Sequence, residues 1–247
     1  GYNISGIRKP DLDEALESLK YAANEAEARL AAEKVQTLLY EYIPQVPIYS
    51  RYHIAALQNE WQGAIASLYM TPDNTYSLLS LRHENKKAFY WCLAEEPRNL
   101  NPLSASSAYE WQVLSVIYES LLAVDPFTLE DVPWLAESWR LDTVSEGGKE
   151  KTRITFKIRE GVKWQDGSPF GASDVKATIE FLKKSASPRY FDSVKDVERV
   201  EAADNTLTVT FSGKSYWYLH QIGGLPMLSA GVLSSLKDWR RLPEEDI

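Results

Sequence analysis

A chain of 247 residues is long enough for one large domain or two small ones, either with a real buried core. Hydrophobic residues at 44% and charged residues at 25% match ordinary globular composition and exclude disordered, collagen-like and coiled-coil classes. A formal charge of -8 repels phosphate backbones and anionic bilayers, so nucleic acid is not an expected partner. The apolar runs fall short of the roughly 20 residues that a membrane helix needs, so this segment is not expected to insert in a membrane. Residue 1 is not followed by a basic and then apolar targeting stretch, and any export signal is expected outside these residues.

The first predicted element is a helix in PDLDEALESLKYAA, with Leu12, Ala15, Leu16 and Leu19 on one face and Asp11, followed by Glu14, as its cap. A second helix follows in EAEARLAAEKVQTLLYEY, where Ala31, Val35, Leu38, Leu39 and Tyr42 recur at helical spacing until Pro44 and Pro47 end it. VPIYSRYHIAALQN reads as extended, up to Gly63. After the polar stretch Arg82 to Lys87, AFYWCLAEE reads as a strand in which Cys92, the chain's one cysteine, takes a small hydrophobe's place in the core; a reactive thiol is the alternative. A loop at Glu96 to Leu103 leads to a helix from about Glu110 to Leu122. TRITFKI alternates Ile154, Phe156 and Ile158 with polar residues, as a strand with one buried face does. DGSPFGASDVKATIEFLKK is a turn feeding a helix that buries Val175, Ile179 and Leu182, with Asp174 in its first turn. VERVEAADNTLTVTF is a hairpin turning near Asp204 and Asn205, with Leu207, Val209 and Phe211 on one side. The class is α/β, as a mixed α+β arrangement.

Little in the sequence demands catalysis. FSGKS, Phe211 to Ser215, lacks the glycine a phosphate loop needs at position 208, which is Thr208. His53, His83 and His220 are scattered, with no Cys or carboxylate at metal-ligand spacing, so neither a metal nor a cofactor is called for. Glu95 and Glu96 are adjacent on a predicted strand and point to opposite faces, so they do not flank one bond. Eight Trp and fourteen Tyr leave two readings open: core packing, or a cleft that stacks on peptide side chains or sugars. Trp164, just before the Asp166 and Gly167 turn, reads as structural, its ring covering that turn.

From residue 86 to about 236 the order of signals resembles the opening section of a family 5 extracellular solute-binding protein. The resemblance rests on EEPRNLNPL (Glu95 to Leu103), VIYESLL (Val116 to Leu122) and VPWLAESWRLD (Val132 to Asp142). Its most specific part is TFKIREGVKWQDGSPFGASDVKATIEFL (Thr155 to Leu182); there Gly171 stands where the family usually carries a Thr or Ser cap. Residues 1 to about 82 are similar to a different section, the family's carboxyl-terminal end, through a run from Asn24 to Arg29 and IPQVPIYSRYHIAALQNEWQG (Ile43 to Gly63). The resemblance thus divides the chain into 1–85, end-like, and 86–247, start-like, joined through LRHENKK and packed as one unit. A fragment of a tandem pair or a circularly permuted copy would have this order, since chain termini often lie close together.

What the resemblance implies is a periplasmic-binding-protein-like fold, here partial: one lobe region of an incomplete two-lobe fold. It further implies extracytoplasmic capture of a solute, with peptides ahead of nickel and sugar oligomers, by lobes that close on the ligand and then dock on the permease subunits of an ABC transporter. In peptide-holding members part of the contact comes from the stretch after the LNP motif. That stretch is Ser104 to Trp111 here, which makes Ser106, Ala108 and Tyr109 the candidate ligand-binding residues, with an ordinary polar loop as the alternative. The expectation is therefore a binding protein and not an enzyme. The other readings are a sensor or accessory domain that keeps the fold, and a hydrolase with two convergent carboxylates in an aromatic cleft. If the second lobe lies outside these residues, ligand binding by this chain alone is expected to be weak.

Overall fold

The computed structural model describes residues 5–50 and 54–236. Helix α1, Pro10–Lys20, begins with a proline at its first turn, a position where the missing N–H is not needed. Its N-cap is Lys9 and not the expected Asp11, whose carboxylate lies inside the first turn and accepts from the hydroxyl of Tyr42 and from the Leu12 N–H at 3.0 Å. Helix α2, Glu25–Tyr42, is capped by Asn24, whose side chain accepts from the Glu27 N–H, and ends on Ile43 at φ 45° before Pro44. The two pack on a small core of Leu12, Ala15 and Val35 with Leu19, Leu38 and Tyr42 against it. The shared face is narrower than expected, since Leu16 and Leu39 stay exposed.

This helical pair docks through the end of α1. The last carbonyls of a helix have no partner within it, and here three residues further along the chain supply donors. The Trp217 indole donates to Leu19 O at 2.7 Å, the Ser215 hydroxyl to Lys20 O at 2.9 Å, and the Tyr216 N–H to Ala22 O at 2.7 Å. Ala22 and Ala23 are buried beneath them.

Residues 54–107 are mostly irregular, with one bridge, Gln62 to Arg82, and a short helix α3, Thr75–Ser80. The strand expected in AFYWCLAEE is absent and Cys92 is exposed, not buried in a core. Alternation there finds no sheet to join: Phe89 turns edge-on to Trp61, ring centroids 5.0 Å apart, instead of toward a strand partner. Helix α4, Ala108–Leu114, is shorter than expected at its far end, because the chain turns at Leu114 and enters β1, Leu122–Val124. β1 pairs antiparallel with β2, Asp131–Pro133.

The main sheet is antiparallel, in the order β3-β4-β6-β5, from β3 (Ala136–Glu146), β4 (Lys149–Ile158), β5 (Val197–Ala203) and β6 (Thr206–Phe211). Gly147 and Gly148, both at positive φ, make the tight β3–β4 turn, which favours such residues. Asp204 takes φ 49° in the β5–β6 turn, where the sequence placed it. Ile154, Phe156, Ile158, Leu207, Val209 and Phe211 are fully buried on one face, as their alternation predicts. α5, Ala172–Ser185, covers that face with Val175, Ile179 and Leu182. The Asp174 carboxylate replaces the missing cap at Gly171: it accepts from the Gly171 N–H at 3.0 Å and from the Ala230 N–H at 2.9 Å. Short helices α6 (Phe191–Val194), α7 (Tyr218–Gly223) and α8 (Ala230–Ser235) close the same core. The mixed α/β class expected from the sequence is the one observed.

Candidate functional site

The segment after α5 clamps the loop that precedes α4 through the loop's carbonyl oxygens. The Ser187 hydroxyl donates to Leu103 O at 3.0 Å, the Tyr190 hydroxyl to Pro102 O at 3.0 Å, and the Arg189 guanidinium to Ala105 O at 3.2 Å. The Trp111 indole donates to the same Ala105 carbonyl at 3.2 Å, and Arg189 lies over the Trp111 ring, 4.4 Å from its centroid. Asn101, in the LNP motif, holds the loop from within by accepting from the Leu103 N–H at 2.9 Å. Burial raises the Tyr190 phenol above its ordinary range, against a smaller opposing effect of Arg189, so it is a neutral donor.

A second clamp joins α3 and the residue before it to α4 and the β1–β2 hairpin. Tyr76 on α3 donates its hydroxyl to Val124 O at 2.6 Å and stands edge-on to Trp134, centroids 6.1 Å apart. The Thr75 and Ser115 hydroxyls are 3.1 Å apart, and the Gln112 amide donates to Asp73 at 3.1 Å. α3 itself is fixed by the buried Ser77, whose hydroxyl donates to Ile65 O and accepts from the Ile65 N–H.

Between these clamps runs a groove of about 410 Å³. Five aromatic rings line it, Tyr76, Trp111, Tyr118, Trp134 and Tyr190, with Arg189 among them, and Glu119 is the one carboxylate in its lining. Apolar walls with a few fixed polar groups suit a small ligand that carries apolar side chains and charged ends. A larger cavity of about 680 Å³ lies among Leu57, Trp61, Leu81, Phe89 and Trp91. Its walls come from the stretch 55–92, whereas the smaller groove takes only Met70 and the α3 residues Thr75, Tyr76 and Leu79 from that stretch and is otherwise held by α4, the β1–β2 hairpin and the main core. Rigid walls favour the smaller groove as the site.

Ser106, Ala108 and Tyr109 stand at the entry of α4 and are absent from the lining of either cavity. Ser106 and Ala108 are exposed and Tyr109 is partly buried. The Ser106 and Ser107 N–H groups donate to the Glu110 carboxylate at 2.8 and 2.9 Å, which completes a capping box with Ser107 and lowers the Glu110 pKa. The sequence candidates thus adjoin Ala105, the anchor of Arg189 and Trp111. Tyr76, Trp134 and Arg189 were not among them; the excess of aromatic residues was a general signal for the two rings, and nothing in the sequence pointed to Arg189. His83 lies edge-on to Trp61 and His220 pairs with Asp131 at 2.7 Å, while His53 is outside the described residues. Among the described residues no three His, Cys, Asp or Glu side chains are grouped to hold a metal. No helix of the described residues is long and apolar enough to cross a membrane.

Residues 130–241 match the family model described as bacterial extracellular solute-binding proteins, family 5 Middle. Over 143 residues the chain is 30% identical to the dipeptide-binding protein of Escherichia coli strain K12, which covers 49% of this chain and 25% of that protein. Over 109 residues it is 34% identical to the glutathione-binding protein GsiB of the same strain, covering 43% of this chain and 20% of that protein. The structure resembles the periplasmic oligopeptide-binding protein of an oligopeptide ABC transporter from Thermotoga maritima, with a TM-score of 0.50 at 29% identity, over 63% of this chain and 28% of that one. The matched part is a quarter or less of each curated relative's length.

Proposed function

We propose that this chain, whose residues 130–241 match the model of the family 5 bacterial extracellular solute-binding proteins, serves extracytoplasmic solute capture for an ABC importer, with peptides as the ligand class. The observation that carries the peptide reading is the groove built from five aromatic rings and Arg189. Aromatic faces accept varied side chains without demanding one chemistry, as a transporter of peptides requires. The names of the relatives, dipeptide-, glutathione- and oligopeptide-binding proteins, support the same class. In this reading Ser106, Ala108 and Tyr109 form the groove's rim beside Ala105, and lobe closure over the groove presents the ligand to the permease subunits. A hydrolase of the two-carboxylate kind is disfavoured, since Glu119 is alone in the lining.

The test is calorimetric titration of the chain with tri- and pentapeptides, repeated with Trp111→Leu. Saturable binding that weakens about tenfold or more in the variant is expected, the scale of a lost aromatic contact with its cation partner. Binding of equal strength in the variant would place the ligand elsewhere, and binding of sugars in preference to peptides would overturn the ligand class.

A further inference from the structure

Among the described residues that line the aromatic groove, Arg189 is the one cation, and the chain fixes its place from both sides. Helix α5 ends on Ala186 at φ 48°, and the backbone then turns tightly, with the Tyr190 and Phe191 N–H groups donating to Ser187 O at 3.1 and 2.8 Å. Ser187 and Tyr190, on either side of Pro188 and Arg189, are buried and bonded to the loop carbonyls of Leu103 and Pro102. Two contacts hold the guanidinium itself. Its Nη1 donates to Ala105 O at 3.2 Å, and its carbon lies over the Trp111 ring, 4.4 Å from the centroid. Arg189 is nevertheless exposed, so a ligand in the groove reaches it.

No carboxylate pairs with this guanidinium among the described residues, although Glu119 lines the same groove. The Tyr190 phenol beside it is neutral, because burial raises it, and a neutral oxygen does not offset a full positive charge. A guanidinium is a planar fork of five N–H donors. With Nη1 directed to Ala105, the edge formed by Nε and Nη2 keeps the paired donors that match the two oxygens of a carboxylate. The Trp111 ring covers one side of the fork and holds its plane, so an incoming carboxylate meets donors that are already oriented.

We propose that Arg189 sets the charge requirement of the ligand: its Nε–Nη2 edge receives a carboxylate of the bound peptide, while an apolar or aromatic side chain of the same peptide rests on the groove's rings. This rests on the groove being a peptide site and adds what the peptide must carry there, a carboxylate supplied by its free carboxyl end or by an acidic side chain. A peptide with neither is a poor ligand.

The test follows the Arg189 Nε–H and Trp111 indole N–H resonances of the ¹⁵N-labelled chain, assigned by triple-resonance spectra. The titrants are Phe-Ala-Ala as free acid, Phe-Ala-Ala amide and Phe-Glu-Ala amide. With the free acid both resonances should shift along one saturation curve, and Phe-Ala-Ala amide should bind about tenfold or more weakly, the scale of a lost hydrogen bond to a charged group. A Phe-Glu-Ala amide that recovers both affinity and the Arg189 shift identifies the acidic side chain as a source of the carboxylate; recovery by the free acid alone identifies the carboxyl end. In Arg189→Gln the carboxylate-bearing peptides and Phe-Ala-Ala amide should bind within about twofold of one another. The resonance shifts are read in the unaltered chain, so the outcome does not depend on how well that variant folds. If Trp111 responds while the Arg189 Nε–H stays still, if peptides with and without a carboxylate bind alike, or if their difference persists in Arg189→Gln, the carboxylate assignment is overturned and the peptide groove stands. If neither resonance responds to any of the three peptides, the groove reading falls as well.

Discussion

Ser215→Ala tests the joint between the α1–α2 pair and the rest of the chain. The Ser215 side chain is buried, donates to Lys20 O at 2.9 Å and accepts from the Trp217 N–H at 3.2 Å. Alanine fills almost the same space, so packing is kept while two backbone groups lose a partner. At about 0.5–1.5 kcal/mol for each net hydrogen bond, the loss is about 1–3 kcal/mol. For a chain of this size that lowers the melting temperature by roughly 2–12 °C. Trp217→Phe removes the neighbouring bond to Leu19 O, and the two substitutions act on one helix end, so their effects should not add. Scanning calorimetry gives the shift, and trypsin cleavage within residues 20–34 should speed up as the pair loosens. If both single variants and the double variant melt within about 1 °C of the parent, water serves the end of α1 as well as these side chains do, and the pair is not held there.

Thr178→Val should also be costly for its size. The Thr178 hydroxyl shares its one proton between Asp174 O and Leu228 O and accepts from the Leu228 N–H, all among buried residues, so the isosteric valine leaves the Leu228 N–H without this acceptor and removes the shared donor, and should lower stability by about 1–3 kcal/mol, measured by urea denaturation. Glu110→Gln should change the acid limb of the stability curve. The Ser107 and Ser106 N–H groups lower the folded pKa of Glu110, so its contribution is fully present above the unfolded value of about 4.3 and is lost as pH falls through the lower folded value. Melting temperatures of the variant and the parent should therefore differ most above that value and converge below it. A constant difference from pH 3 to 7 would show that the carboxylate's charge is irrelevant to the α4 cap.

The elements that the sequence predicted well are those whose partners lie close along the chain or whose pattern is strict. β4, α5 and the β5–β6 hairpin alternate or recur over several residues, and each buries the residues its period selects. The misses share a cause. AFYWCLAEE has strand composition, yet a strand exists only where another can pair with it, and composition does not say whether an edge is within reach. Leu16 and Leu39 continue the helical stripe, but α1 and α2 meet on a face only wide enough for Leu12, Ala15 and Val35, leaving the outer leucines in solvent. The Asp11 cap failed because Pro10, ahead of it, already meets the requirement of a first helical position, which moved the start of the helix back.

The groove was less legible, and the reason lies in what holds it. Its walls are drawn from residues near 76, 111, 134 and 189, and the bonds that fix them run from side chains to backbone carbonyls of Pro102, Leu103, Ala105 and Val124. A carbonyl oxygen is the same whatever side chain it carries, so one half of each bond leaves no mark in the sequence. The donors Tyr76, Ser187, Arg189 and Tyr190 read in isolation as ordinary surface or core residues. The family resemblance pointed to the stretch that follows the LNP motif, whose Pro102, Leu103 and Ala105 carbonyls accept these bonds, and it selected Ser106, Ala108 and Tyr109 by their distance along the chain, none of which lines the groove. Across the fold, the loop's partners come from more than eighty residues away, and those partners place Trp111 and Arg189 against each other in the wall of the groove.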